Sequence, residues 1–181
     1  MKSKIIVFDF DKTLTYTDSL FGFFLTATEK NITYPVKVLL YIFIMVFAKL
    51  KVLSNKNMKR IGIALFLKGI DKIQLQLLSI DYSKKIKLNN LYHEFDFMSN
   101  DKIYIASASF AGYLRPLFPS NVTILGSQLL FKENKVAGLK ENCFKGKKAQ
   151  ILLAKGINTI DVVYTDSYSD FPLACMSEKI I

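Results

Sequence analysis

The 181-residue chain has only two cysteines, Cys143 and Cys175, and neither belongs to a CxxC pair. That excludes a disulfide framework and argues against metal–thiolate chemistry, so a reducing, cytoplasmic compartment is expected. Both cysteines read as small buried hydrophobes. The single histidine, His93 in Leu-Tyr-His-Glu-Phe, has no partner nearby in sequence and reads as a surface or core side chain, not a base. The N-terminus runs straight into Lys4–Phe8 and then acids, which is not the pattern of a cleavable signal peptide. No internal repeat, low-complexity linker, helix-turn-helix or RNP-like signal is present, which sets nucleic acid aside as a partner. What remains is 51% hydrophobic and 22% charged, enough apolar mass to bury one core with an inserted lobe.

The formal charge is +10, and residues 30–100 carry twelve Lys and Arg against four Asp and Glu. An excess of this size suits nucleic acid, an anionic membrane surface or a phosphorylated substrate. The same region holds the most uniformly apolar run, Val38–Ala48, followed by Lys49, Lys51, Lys56, Lys59 and Arg60. Its eleven residues would reach only ~16 Å as a helix, short of a ~30 Å hydrocarbon core. It fits a buried helix, an interfacial helix or a re-entrant hairpin with Ile61–Leu67. Each lysine beside it would add about 1 kcal/mol at an anionic surface. Its aromatics (Tyr34, Tyr41, Phe43, Phe47, Phe66) read as core in the first instance. Ile70–Ile80 and Tyr82–Tyr92 read as further helices, with Lys84, Lys85 and Lys87 on a solvated face.

Around this segment an α/β rhythm holds. Strands are expected over 4–8, 102–106, 122–125 and 159–165, with a hairpin of 128–131 and 135–139 across Lys132-Glu133-Asn134. Helices are expected over 20–28, 111–117, 148–155 and 171–177, and 178–181 reads as a closing strand. Asp18 or Ser19 suits the cap of the first helix, and Arg115 the C-terminal end of another. The pattern implies an α/β fold, a Rossmann-like core with a mostly parallel sheet and helices on both faces. Ligands in such sheets bind at the carboxyl ends of the strands. Three strand ends carry polar groups: Asp9 and Asp11, Ser107, and Asp166. Ser109 either assists Ser107 or caps the next helix.

Two carboxylates at i and i+2 after a buried strand are costly without compensation. One suits attack on an electrophile while the other handles a proton. Asp166 and Asp170 add a second acidic pair. Four converging carboxylates without Cys or His suit a hard ion such as Mg²⁺.

The ordered set Asp9-Phe-Asp-Lys-Thr-Leu-Thr15, Ser107, a lysine before a helix, and Thr165-Asp-Ser-Tyr-Ser-Asp170 resembles the haloacid dehalogenase superfamily of Mg²⁺-dependent phosphohydrolases. The resemblance implies Asp9 as nucleophile, forming an aspartyl-phosphate, and Asp11 as general acid then base. Asp9, Asp11 (through its carbonyl), Asp166 and Asp170 would serve the metal. Thr13 would hold the loop, and Ser107 with the backbone N–H groups from Ala108 onward would bind the phosphoryl oxygens. The motif lysine is one of Lys145, Lys147 and Lys148; Lys148, four residues before Leu152, fits best, with Lys147 second. Lys12 stands where glycine is common, and lysine is frequent there in the branch related to phosphoserine phosphatase. That branch implies a catalytic core of residues 1–15 and 96–181 and a helical cap of residues 16–95. Asp18–Leu25, Ile63–Gly69 and Tyr164–Leu173 also resemble the phosphatidylglycerophosphatase C type, which implies a phospholipid substrate and cap contact with the inner face of the membrane. A soluble phosphatase with a greasy cap, or a dimer burying that cap, stays beside it as an alternative, as does a non-catalytic basic binding protein.

Overall fold

The computed structural model describes residues 3–28 and 30–181. At its centre lies β1 (Ile5–Phe8), whose Ile6 and Phe8 face one side of the sheet and Val7 the other. All three are buried, which is why the strand reads as an unbroken apolar run: a parallel strand covered on both faces needs no polar alternation. Five helices follow before the next strand: α1 (Leu20–Ala27), α2 (Tyr34–Lys49), α3 (Asn55–Gly62), α4 (Lys72–Ser83) and α5 (Asn90–Glu94). Then come β2 (Lys102–Phe110), α6 (Ala111–Leu114), β3 (Thr123–Lys132), β4 (Lys135–Glu141), α7 (Gly146–Ala154), β5 (Ile160–Tyr164), α8 (Phe171–Ala174) and β6 (Ser177–Ile180).

The sheet order is β4-β3-β2-β1-β5-β6, parallel except for the β3–β4 hairpin. Glu133 and Asn134 both take positive φ in that hairpin turn, as a two-residue connection matched to strand twist requires. Phe8 pairs with Ile105 of β2 and with Tyr164 of β5. The register therefore brings the segments after Phe8, Ala106 and Tyr164 level at one edge. Ile6, Phe8, Ile103 and Ile105 pack toward the inserted helices; Val7, Ala106, Leu125 and Val163 pack toward Leu152 of α7 and Leu173 of α8.

The inserted helices are capped locally. Ser54 accepts from Asn57 N–H and Asp71 from Ile73 N–H, and Pro35 opens α2 where its missing N–H costs nothing. The segment is stitched to the core by backbone pairing. Gly69 N–H donates to Val136 O, Val136 N–H to Ile70 O, and Lys72 N–H to Asn134 O. Gly62 lets α3 approach the Phe24 and Tyr41 rings, where a Cβ would stand 2.5 Å from Phe24.

Several elements differ from the sequence expectation. Residues 84–89 are not helical, because Tyr16 N–H donates to Lys87 O and Asn89 N–H to Leu14 O, drawing this stretch into pairing with the loop after β1. Ile63–Leu67 continues α3 as a π-helical turn. Strand β2 runs on through Ser107-Ala108-Ser109 instead of ending before them, with an irregular register to β3. Residues 123–125 and 128–131 belong to one strand, and Val122 precedes it. Cys143 is buried but Cys175 is exposed. Tyr41 and Phe66 are core, whereas Phe43 and Phe47 are exposed. Arg115 is structural, its guanidinium donating to Phe118, Pro119 and Val122 carbonyls.

Candidate active site

The level strand ends make one site. Asp9 N–H donates to Tyr164 O at 2.9 Å, fixing the first carboxylate beside the end of β5. Asp9 Oδ1 accepts from its neighbour Phe10 N–H at 2.8 Å and from Lys148 Nζ at 2.9 Å. The same Nζ lies 2.7 Å from Asp170 Oδ2, which also accepts from Thr165 Oγ1. Lys148 is 2% exposed, so this is a desolvated carboxylate–ammonium–carboxylate bridge. Burial alone would pull the lysine down, but Asp9 and Asp170 raise it, so it stays protonated. Burial pushes Asp9 up to about 7 against the pull of Lys148, with Asp170 adding to the rise. The other candidate lysines point elsewhere. Lys147 pairs with Glu141 at 3.1 Å on the surface, and Lys145 lies over the Phe144 ring at the start of α7.

Asp11 faces the inserted helices. Its Oδ1 accepts from Ser19 N–H (2.8 Å) and Ser19 Oγ (2.6 Å), and its Oδ2 from Ser109 Oγ (2.5 Å). Burial raises it to about 6, and nearby Asp18 adds to the rise. Lys12 has φ +66, a left-handed backbone that favours glycine, and its N–H donates to Thr15 Oγ1. Thr13 Oγ1 accepts from Asp166 N–H at 3.1 Å and lies 3.4 Å from Asp166 Oδ1, tying the first loop to the last. Ser107 is fully buried and its Oγ accepts from Ser109 N–H.

The expected convergence of four carboxylate side chains does not occur. Among the described residues no three acidic, His or Cys side chains gather into a metal-binding group. Ser19 and Ser109 hold the Asp11 carboxylate between them, and Lys148 draws Asp170 toward Asp9. The donors still suit a hard ion held by few side chains, since Mg²⁺ keeps several waters and takes one or two carboxylates. Asp170 Oδ1 is buried with no partner, an acceptor that a cation's hydration shell would satisfy.

Four residues escaped the sequence reading. Ser19 was legible only as a helix cap, yet Asp18 accepts from Leu20 N–H and frees Ser19 for Asp11. Tyr113 hydrogen-bonds Ser19 Oγ from beneath. Lys59, grouped in sequence with the surface lysines, is 0% exposed. Its Nζ donates to Ala108 O (2.5 Å), Asn142 Oδ1 (2.6 Å) and Ser127 Oγ (3.1 Å), with no carboxylate in contact among the described residues. Burial lowers it to about 8. Asn142 had no signal at all.

A cleft of about 1070 Å³ opens between the strand ends and the inserted helices. Asp11, Lys59, Ala108 and Ser109 line one end; Phe21, Tyr41, Met45, Leu53 and Met58 supply apolar wall, and Lys49, Lys51 and Lys56 lie along it.

Solved structures share this architecture. A Bordetella pertussis Tohama I protein of unknown function superposes with a TM-score of 0.80 at 15% identity, over 99% of this chain and 89% of that one. A substrate-bound phosphoserine phosphatase gives 0.67 at 17% identity (99% and 85%), and a phospho-aspartyl intermediate analogue of phosphoserine phosphatase 0.59 at 18% (100% and 94%). No curated protein sequence matches the chain. The sequence profile of the haloacid dehalogenase-like hydrolases matches residues 6–174. With that profile covering both the strand ends and the inserted helices, the chain belongs to the haloacid dehalogenase-like hydrolases.

Proposed function

We propose that the protein is a Mg²⁺-dependent phosphomonoesterase that works through an aspartyl-phosphate on Asp9 and takes a lipid phosphate monoester, such as phosphatidylglycerophosphate. The observation that carries the chemistry is the Lys148 bridge between Asp9 and Asp170. A transferring phosphoryl group keeps its negative charge, and a fixed ammonium beside the nucleophile offsets it without reorganisation.

With Oδ1 held by Phe10 N–H and Lys148, Asp9 keeps Oδ2 free of hydrogen bonds among the described residues, and this oxygen attacks phosphorus. The P–O bond to the leaving alcohol breaks as protonated Asp11 gives its proton to that oxygen. Asp11 then takes a proton from water, whose oxygen attacks the same phosphorus; the Asp9–phosphorus bond breaks, releasing phosphate and restoring the carboxylate. Ser19 and Ser109 aim Asp11 throughout. Ser107 and the N–H groups that follow it receive the phosphoryl oxygens. Asp9, the Asp11 carbonyl and Asp166 would hold Mg²⁺, with Asp170 supporting it. Bound there, the ion would neutralise phosphoryl charge. The phospho-aspartyl analogue in a protein of the same fold supports this reading.

The apolar wall of the cleft supports a lipid body behind the phosphate. Phosphate release from an aryl phosphate, abolished by EDTA and restored by Mg²⁺, tests the chemistry. A panel with phosphatidylglycerophosphate and phosphoserine tests the substrate; preference for the soluble ester would overturn the lipid assignment.

A further inference from the structure

Helix α2 has two apolar sides. Its inner side, with Tyr41 buried and Met45 and Ala48 behind it, is wall of the cleft. Its outer side presents Val36, Leu39, Leu40, Phe43, Val46 and Phe47 to solvent, each about half exposed or more. These positions recur at three and four, one continuous stripe along the helix. Leu50 and Val52 extend it past the C-terminal end, at 66% and 74% exposure. Monomeric proteins in water seldom leave so long an apolar stripe uncovered.

Charge identifies what covers it. From Lys30 to Ile70 the chain has eight Lys and Arg and no Asp or Glu. Lys37 lies near one end of the helix; Lys49, Lys51 and Lys56, exposed and also lining the cleft, lie at the other, and Lys30 precedes it in sequence. A second copy packed on this face would set lysines against lysines, with no acid between Lys30 and Ile70 to pair them, a like-charge contact that disfavours association. An anionic lipid surface offers both partners at once: acyl chains for the stripe, headgroups for lysines whose stems reach along it. No helix is long and apolar enough to cross a membrane among the described residues. At 1.5 Å per residue, the 16 residues of α2 span only ~24 Å, which suits lying along the interface.

We propose that the outer face of α2 docks the protein on an anionic lipid bilayer. One helix then separates the bilayer from the cleft, so a lipid phosphate reaches the Asp11 end without leaving the surface for bulk water. This last step rests on the phosphatase reading; the docking does not.

The test is flotation of the full chain with vesicles of phosphatidylcholine alone or mixed with phosphatidylglycerol, alongside sedimentation to read the oligomeric state. Wild type floats with the mixed vesicles and is monomeric without them. The double variant Leu39→Ser/Phe43→Ser loses flotation by at least about tenfold while hydrolysing a soluble aryl phosphate at the wild-type rate, which shows that it folds. Lys49→Ala/Lys51→Ala weakens flotation on mixed vesicles, and added salt does the same to wild type. No flotation of wild type, equal flotation of wild type and Leu39→Ser/Phe43→Ser, or a wild-type dimer that this double variant dissolves overturns the proposal. Flotation without aryl phosphate hydrolysis by wild type would instead overturn the phosphatase reading and leave docking standing; folding of the variant is then read by circular dichroism.

Discussion

Lys59 Nζ donates to the carbonyl oxygen of Ala108 at 2.5 Å, joining α3 to the end of β2 beside Ser107 through a buried ammonium that has no carboxylate in contact among the described residues. Three neutral acceptors satisfy its donors, yet none repays the desolvation of the charge, and its pKa falls to about 8. Below that value the lysine is protonated in both folded and unfolded chains, and the penalty for burying it is constant. Between about 8 and 10.5 the unfolded chain holds the proton and the folded one does not, so stability rises with pH. The gain amounts to about 3 kcal/mol. Measured by urea unfolding at pH 7 and near pH 10.5, wild type should gain about that much stability relative to Lys59→Met, since the buried tyrosines, raised by burial and opposing the rise above pH 10, are common to both. Parallel pH dependences in the two proteins would contradict the assignment.

Lys148→Met leaves Asp9 and Asp170 facing each other, buried and without their cation. Breaking such a group costs about 3–5 kcal/mol, and phosphate release should vanish with it. Lys147→Met removes only a part-exposed pair with Glu141, worth about 0–1 kcal/mol, and should leave the rate within a small factor of wild type. Thermal melts and aryl phosphate turnover of the two variants separate the neighbouring lysines. Similar losses in both would mean that Lys148 is not the motif lysine.

Ser109→Ala removes one of three hydrogen bonds to the Asp11 carboxylate and leaves the two from Ser19. A hydrogen bond to a charged group is worth enough to lower kcat by about tenfold, with KM little changed. Steady-state kinetics on an aryl phosphate checks it; an unchanged kcat would show that Asp11 is aimed by Ser19 alone.

Gly62→Ala places a methyl group 2.5 Å from the Phe24 ring and 2.9 Å from Tyr41. Overpacking of this kind costs about 1–3 kcal/mol and should lower Tm without changing kcat, because α3 touches the aromatic cluster there and not the carboxylates. An unchanged Tm would show that the rings move aside at little cost.

The candidate site was legible as a cluster because its polar residues sit at strand ends, where local sequence and topology coincide. Val7 and Phe8 mark a strand buried on both faces, and Asp9 follows at once; Thr165 and Asp166 repeat the pattern after β5. The lysine was harder, since three candidates lie within four residues and only burial separates Lys148 from Lys145 and Lys147. The cap resisted reading for another reason. Apolar spacing in α2 cannot say which side faces the core, so Tyr41 and Phe43, two residues apart, end respectively buried and exposed. Lys59 looked like its exposed neighbour Lys56 until distant Ser127 and Asn142 came into contact with it. Residues 84–89 read as helix and are held open by Leu14 and Tyr16, partners remote in sequence.

The central claim is covalent catalysis by Asp9, and the rate of Mg²⁺-supported phosphate release by Asp9→Asn tests it most directly. The change keeps the side chain's shape and removes its nucleophilic oxygen. A fall of at least about 1,000-fold in kcat, in a protein whose Tm shows that it is folded, is the predicted result. Turnover near the wild-type rate would contradict it.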